Sequence, residues 1–350
     1  MSKAIYFVPV KEKFIKKWEY YSVDLDMLED TFSEVIICQT NREFLKALFS
    51  NKIDFIFCWW WHKSLIPLIA AKIIRVPVYM LGAVHMYDES GDRDFFSHST
   101  FYRAFLRIAW RFASVNLFMS KSQFRQITSH ASVNNPALLQ SSLTKQYNQD
   151  NLVVDKHHIN FSKKIRLLSI LWMTKGTIKR KSIYEILDAL VICIDEGFKN
   201  FEWTIAGAYG DGSSNLEDRI SELNLKDYVN VHYDISNNTK LDLYKSSDLY
   251  LQPSYYEGFG NAVLEAMSYG MPAVVSRNTA QAEVIGNSGF MVEELEGKFI
   301  AKTIQNFFNL SNEDRIIQRE LVSMVVKERH LYETRTKKFH EILKNHNHLF

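Results

Sequence analysis

Short apolar runs alternate with longer amphipathic stretches over most of the chain, and that alternation predicts strands separated by helices. In the first half the runs predict strands at 4–10, 34–38, 55–60, 76–81 and 115–119, with helices near 41–49, 65–74, 100–113 and 122–129. Over 134–158 the pattern fades into polar residues, among them Asn135-Pro136 and Asn148-Gln149-Asp150-Asn151, and reads as a linker. A strand at 165–171 restarts the alternation, followed by helix 182–196, strand 201–206 and helix 216–223. Strand 229–232, helix 239–246, strand 249–252, a helix over 261–269, a strand at 273–275 and two or three terminal helices complete it. Alternating strands and helices build parallel sheets covered on both faces. The chain of 350 residues is too long for one ordinary core. It reads as two doubly wound α/β domains, 1–152 and 153–330, with a last segment at 331–350. Ligands of such sheets lie beyond the carboxyl ends of the strands, so a cleft between the halves is the expected site.

Composition narrows the class. A hydrophobic content of 47% with 23% charged residues describes a globular chain. The formal charge is only +2, from 42 basic and 40 acidic residues, so no bulk attraction to nucleic acid is expected. Cys38, Cys58 and Cys193 sit inside apolar runs without metal-ligand spacing, as reduced core residues of a cytosolic protein would. The first apolar run is too short for a signal peptide and reads as a strand. The longest apolar stretch, 53–84, is interrupted by Asp54, His62, Lys63, Lys72 and Arg75. A membrane span needs about 20 clean residues, so none is predicted.

Residues 253–276, PSYYEGFGNAVLEAMSYGMPAVVS, carry the densest chemistry. The run 248–252 ends as a buried strand, and Gly258 and Gly260 let the backbone turn tightly and approach a ligand. Val263, Leu264 and Met267 recur at helical spacing, and Gly270-Met271-Pro272 stops the helix. A helix that starts behind glycines offers unpaired N–H groups and a positive dipole end to phosphate, here through Gly258, Phe259, Gly260 and Asn261. Glu265 falls about one turn into the helix, where its carboxylate can accept two hydrogen bonds from a vicinal diol such as a ribose. Glu257 stays in the loop, free to meet whatever the phosphate carries.

Glu257-x7-Glu265, set inside Pro-Ser-x-x-Glu-Gly-Phe-Gly-x-x-x-Leu-Glu-Ala-Met-x-x-Gly-x-Pro, resembles the signature of the family 4 (group 1) retaining glycosyltransferases. The resemblance implies the GT-B fold, two Rossmann-like domains facing across a cleft, with the nucleotide sugar on the C-terminal half. It implies that Glu265 holds the ribose and Glu257 the hydroxyls of the transferred sugar. Its last helix, near 331–344, would cross back to the N-terminal domain. The donor is then a nucleotide diphosphate sugar, with no cofactor and no metal, and the acceptor a glycan or lipid-linked glycan.

Further positions follow from the same resemblance. Gly207 lies in a glycine-rich turn like the family's loop near the nucleotide, although such a turn also serves any strand-to-helix junction. Ile235 follows a strand whose next backbone group meets the base in the family, but Asp234 stands where glycine is usual. For the diphosphate cations Lys181 falls on the family's lysine, and Lys175 is the substitute for a Gly-Arg pair that is missing after the strand; Ser182 replaces the usual glycine, and Lys179 and Arg180 read as a solvated turn. His85, after the 76–81 strand, matches a histidine close to the donor sugar. Residues 116–122 match a family strand ending in serine, which bears on the fold. The glycine-rich loop usual after the first strand is replaced by Pro9–Trp18.

Three other patterns have plainer readings beside the functional ones. Asp24-Leu25-Asp26 and Asp92-Arg93-Asp94 fit a metal-binding D-x-D but read as solvated turns. The helix 100–113 carries Arg103, Arg107 and Arg111 among aromatic residues, which suits either an anionic lipid surface or a sheet-covering helix with one arginine stripe. Trp59-Trp60-Trp61 offers an aromatic platform if the strand continues, with Trp60 facing away from the other two, or simple burial under a helix. The reading is a retaining, metal-independent glycosyltransferase, cytoplasmic and peripheral at the inner membrane face. The alternatives are an epimerase or phosphorylase on the same fold, or a non-catalytic glycan-binding relative.

Overall fold

The apolar runs pair into two separate parallel sheets in a computed structural model, which describes residues 2–84, 86, 94–147 and 164–348. In the first unit β1 (Lys3–Phe7) is followed by α1 (Glu12–Lys17), α2 (Glu19–Thr31), β2 (Glu34–Cys38) and α3 (Asn41–Ser50). Then come β3 (Phe55–Trp59), α4 (Leu65–Ile74), β4 (Val78–Leu81), α5 (Thr100–Phe112), β5 (Val115–Phe118), α6 (Lys121–His130) and β6 (Pro136–Leu138). The strand order is β2-β1-β3-β4-β5-β6. Ile5, Ile56, Val78 and Phe118 point from these strands into a core shared with Phe44, Leu106 and Trp110 of the helices.

The second unit holds β7 (Ile165–Ile170), α7 (Lys175–Arg180), α8 (Ile183–Asp195), β8 (Phe201–Gly207), α9 (Ser213–Glu222), β9 (Val229–Tyr233) and α10 (Asn237–Ser246). It continues with β10 (Leu249–Gln252), α11 (Asn261–Ser268), β11 (Ala273–Ser276), α12 (Ala280–Ile285), β12 (Phe290–Val292), α13 (Gly297–Phe308) and α14 (Asn312–Arg329). Its order is β12-β11-β10-β7-β8-β9. The chain moves outward from β7 through β8 to β9 and then returns to the other side of β7 as β10. The switch point lies between β7 and β10, at whose carboxyl ends, Ile170 and Gln252, open α/β sheets bind their ligands.

The last helix, α15 (Tyr332–Asn345), is part of the first unit. Phe339 packs edge-on against Phe55, Phe57 and Tyr79, and Tyr332 donates to Asp30 at 2.6 Å. Arg335 reaches Asp24 inside the unit, where both side chains are almost wholly buried. Trp59 Nε1 also donates to Asp24 at 2.9 Å. Burial raises the Asp24 carboxyl, while Arg335 and Trp59 pull it back down.

Several expectations change here. The linker does not begin at 134: Pro136–Leu138 pairs with β5 as an edge strand. A proline is tolerated there because an edge leaves one side of the backbone unbonded. The rest of that segment, from 148, and the boundary at 152/153 lie outside the described residues. Pro9–Trp18, in place of the glycine-rich loop, holds α1, and Phe14 stacks on Trp18 at 4.5 Å between ring centroids. Asp24 is not in a solvated turn but in α2, fully buried; Asp92 and Arg93 lie outside the described residues. β3 stops at Trp59, because Trp60 takes a left-handed backbone (φ 68°). That kink sends Trp59 toward Tyr21 and Trp61 toward Trp110, and both are buried. The three cysteines are buried and unbridged.

Candidate functional site

Side chains that the chain brings from four places converge at the ends of β7 and β10. Lys181, just past α7, is buried and donates to the Ile170 carbonyl at 3.2 Å and to Gln252 Oε1 at 2.7 Å. Tyr250 places its hydroxyl on the same Gln252 oxygen at 3.2 Å. Gln252 in turn donates from Nε2 to Glu257 Oε1 at 3.2 Å, and Arg180 Nη1 meets that oxygen at 2.5 Å. One Glu257 oxygen is therefore saturated. Among the described residues the other, Oε2, accepts nothing.

Glu265 repeats the arrangement one helical turn into α11. Lys240 Nζ at 2.8 Å and the Tyr244 hydroxyl at 2.9 Å, both from α10, converge on Oε2. Among the described residues Oε1 is left open. A carboxylate offers about four lone-pair sites, so each glutamate keeps about two for a ligand's hydroxyls. The protein donors fix the orientation of both acids before any ligand arrives.

Between the acids, α11 starts without a side-chain cap at Gly260, whose φ of 110° is left-handed. A Cβ there would meet Gln281 Cγ at 2.8 Å, so both the turn and the close approach require glycine. An anion at a partly buried helix start gains up to about 2 kcal/mol. Hydrogen bonds to a charged partner contribute about 1.5–3 kcal/mol each. For a diphosphate placed there, Lys181 and Arg180 would supply more attraction than the helix start.

Burial pushes the Lys181 ammonium down to about 8; Glu257 and Glu265 act to hold it up, and Arg180 pushes it down further. The lysine is thus charged below about pH 8 and neutral above. A diphosphate prefers the charged form, so nucleotide affinity should weaken as pH rises through about 8, by up to about tenfold per unit. Stability runs the other way. An unfolded lysine near 10.5 still holds its proton between about 8 and 10.5, so in that window folding gains as pH rises. Calorimetric titration of a nucleoside diphosphate from roughly pH 7 to 9, about one unit either side of the lysine, reads the first effect. A flat profile for the wild type, or the same slope in Lys181→Met, would remove Lys181 from the site.

The remaining sequence-derived positions divide as follows. Arg180 was expected in a solvated turn, yet it is the ion-pair partner of Glu257, with its side chain only 26% exposed. Lys175 opens α7, exposed, and is hydrogen-bonded into neither acid; its backbone N–H donates to Asp211 at 2.9 Å. Gly207 has a packing cause of its own, since a Cβ would lie 1.9 Å from the Leu171 carbonyl oxygen. Ile235 is half-buried behind Asp234. His85 lies outside the described residues. The serine of 116–122, Ser120, caps α6 by accepting from the Gln123 N–H, and Gln123 Nε2 holds the Gly82 carbonyl at 2.9 Å. Among the described residues no cluster of three metal-ligating side chains occurs.

Two departures from the resembled pattern keep the backbone that the pattern needs. Asp234 has φ 49° and Ser182 φ 52°, both left-handed, where the pattern has glycine. Asp234 offsets part of the cost by accepting the Tyr209 N–H at 3.0 Å. The Ser182 hydroxyl is buried without a hydrogen-bond partner. Ser182→Gly should therefore raise unfolding free energy by about 1 kcal/mol. A denaturant midpoint that stays level or falls would show that the turn carries no strain.

Gln252, Lys240 and Tyr244 were not singled out from sequence. Gln252 had a signal, a polar side chain closing an otherwise apolar strand. Lys240 and Tyr244 stand four apart on α10 and so share a face, but nothing local indicates that the face meets Glu265.

The two parallel sheets with their covering helices define a GT-B fold. Residues 161–320 match the family described as Glycosyl transferases group 1. Over 134 residues the chain is 26% identical to the capsular polysaccharide biosynthesis glycosyltransferase CapM of Staphylococcus aureus, covering 38% of this chain and 34% of that protein. The match thus spans about a third of that relative's length. Among solved structures, sucrose-phosphate synthase from Thermosynechococcus elongatus superposes with TM-score 0.73 at 13% identity, covering 99% of both chains. Anabaena HepE in complex with UDP and glucose does so with TM-score 0.70 at 17% identity, covering 99% of this chain and 100% of that one. No helix among the described residues is long and apolar enough to cross a membrane.

Proposed function

We propose that the protein is a retaining glycosyltransferase that moves a sugar from a nucleotide diphosphate sugar to a hydroxyl of a glycan or lipid-linked glycan. The observation that carries the reading is the pair of half-saturated carboxylates, Glu257 and Glu265, on either side of an uncapped helix start with Lys181 between their charges. Glu265 Oε1 takes the ribose diol, and Glu257 Oε2 takes hydroxyls of the transferred sugar. Lys181, Arg180 and the first amides of α11 hold the diphosphate. The left-handed turn at Asp234 delivers the backbone of Ile235 to the base.

In the reaction the bond from the sugar C1 to the diphosphate oxygen breaks and the acceptor oxygen bonds C1 from the same face. The acceptor proton leaves toward the departing diphosphate, whose growing charge is stabilised by Lys181, Arg180 and the helix start. Glu257 orients the sugar and is not assigned as a covalent nucleophile. The reading needs no metal. Capsular and O-antigen relatives favour a bacterial-type glycan acceptor, handled in the cytoplasm at the inner face of a membrane, with contact through residues 100–113.

A thermal-shift screen of uridine, guanosine and adenosine diphosphates and their sugars tests the donor site. One nucleotide should stabilise the wild type and fail to stabilise Glu265→Ala. With that donor, the anomeric configuration of the transferred sugar, read by NMR, should match the donor's. No response to any nucleotide would end the proposal, and inversion would end its retaining part.

A further inference from the structure

α3, α4 and α5 lie side by side in one layer on the first sheet, and each turns large apolar side chains outward among its polar ones. A helix that covers a sheet in water normally turns polar residues outward. α5 buries Leu106, Ala109 and Trp110, as expected. Yet Phe101, Phe105, Ile108 and Phe112 fall within an arc of about 60° at 3.6 residues per turn and are exposed, Phe101 by 79%. The single solvated arginine stripe expected from sequence is thus joined by an aromatic one. α4 repeats the pattern with Ile66, Ile69 and Ile73, the last 76% exposed, and Phe49 of α3 completes an apolar groove of about 240 Å³. These helices carry nine of the sixteen large hydrophobic side chains exposed among the described residues.

Charge selects the occupant. α4 with its cap Arg75, and α5, contain Lys72, Arg75, Arg103, Arg107 and Arg111 and no Asp or Glu, and α3 adds Arg42 and Lys46 against the single acid Glu43, in a chain whose overall charge is only +2. Arg103 is half-buried, and the other four are exposed. Bulky apolar side chains beside unopposed arginines and lysines suit the headgroup boundary of an anionic bilayer, where rings enter the acyl edge and cations meet phosphate.

We infer that the α3–α4–α5 face docks on an anionic phospholipid bilayer, with Phe101 and Ile73 inserted and Arg107 and Arg111 at the headgroups. This deepens the proposed membrane contact from one helix to a three-helix face. It rests on the transferase reading only for its purpose, because binding needs neither donor nor acceptor.

The test is sedimentation of the full chain with vesicles of phosphatidylglycerol and phosphatidylcholine, against vesicles of phosphatidylcholine alone. The wild type should pellet with the anionic vesicles and stay in solution with the neutral ones. Each arginine near such a surface contributes about fivefold, so Arg107→Gln/Arg111→Gln should lose roughly 25-fold in partitioning. Ile73→Ser/Phe101→Ser should lose at least about tenfold. All four positions are exposed, and unchanged circular dichroism and nucleotide-induced thermal shift would confirm intact variants. Wild-type protein left in the supernatant, or variants that pellet like the wild type, would overturn the inference. So would a wild-type dimer that Ile73→Ser/Phe101→Ser converts to a monomer, which would assign the face to a second copy. Loss of vesicle binding with donor turnover intact leaves the transferase reading standing, and the reverse result leaves the membrane face standing.

Discussion

Glu257→Ala should lower kcat/KM for donor turnover by roughly 10²–10⁴. In the proposed reading the open oxygen of Glu257 takes two sugar hydroxyls, and hydrogen bonds to a charged group contribute about 1.5–3 kcal/mol each. A second effect adds to this. Glu257 is the ion-pair partner of Arg180 at 2.5 Å and the acceptor of Gln252, so its loss frees Arg180 to collapse onto the diphosphate. Nucleotide affinity should therefore hold or tighten while turnover falls. Glu257→Gln retains the shape but not the charge and should fall between. Turnover within about threefold of wild type in the alanine variant would remove Glu257 from the reacting sugar.

Arg335→Ala should destabilise the first unit by about 3–5 kcal/mol, because it strands the Asp24 carboxylate without its cation. The direction with pH follows from Asp24, whose carboxyl burial already raises above its ordinary 3.8. A buried acid with a raised value holds its proton in the native state after the unfolded chain has lost its own. Its contribution to stability therefore falls as pH rises above 3.8. Without Arg335 that value climbs further, so the deficit should be larger at neutral pH than at mildly acid pH. Denaturant unfolding followed through tryptophan fluorescence reads it, with Trp59 against Asp24 as the local reporter. Asp24→Asn/Arg335→Met should recover part of the loss. A deficit under about 1 kcal/mol would mean the pair is better solvated than its burial indicates.

The second unit was the more legible half. Its central strands β10 and β11 are buried throughout and read as short apolar runs, and Gly260 and Gly270 take the left-handed backbone that glycine adopts easily. The first unit was harder. α2 was missed because Asp24 and Asp26 interrupt its apolar face, and Asp24 is acceptable inside only through Arg335, 311 positions away. β6 was missed because three residues beginning with proline carry no period. β12, equally short, gave no signal either.

The same division runs through the site. Glu257, Glu265 and the glycines between them were readable because their chemistry is set by spacing along one loop and one helix. Arg180 looked like one more charge in a basic run, and its partner lies 77 positions away. Lys240 and Tyr244 became clamps of Glu265 only when β10 returned beside β7 and brought α10 and α11 together. Asp234 and Ser182 looked like departures, yet the folded backbone holds both at left-handed φ. Local order along the chain determined the alternation of strands and helices, the helix start and the two acids, since these depend on residues a turn or two apart. Which carboxylate oxygens are already occupied, which cations are buried and which helix faces stay apolar toward solvent depend on partners distant in sequence. Only the tertiary structure decided those.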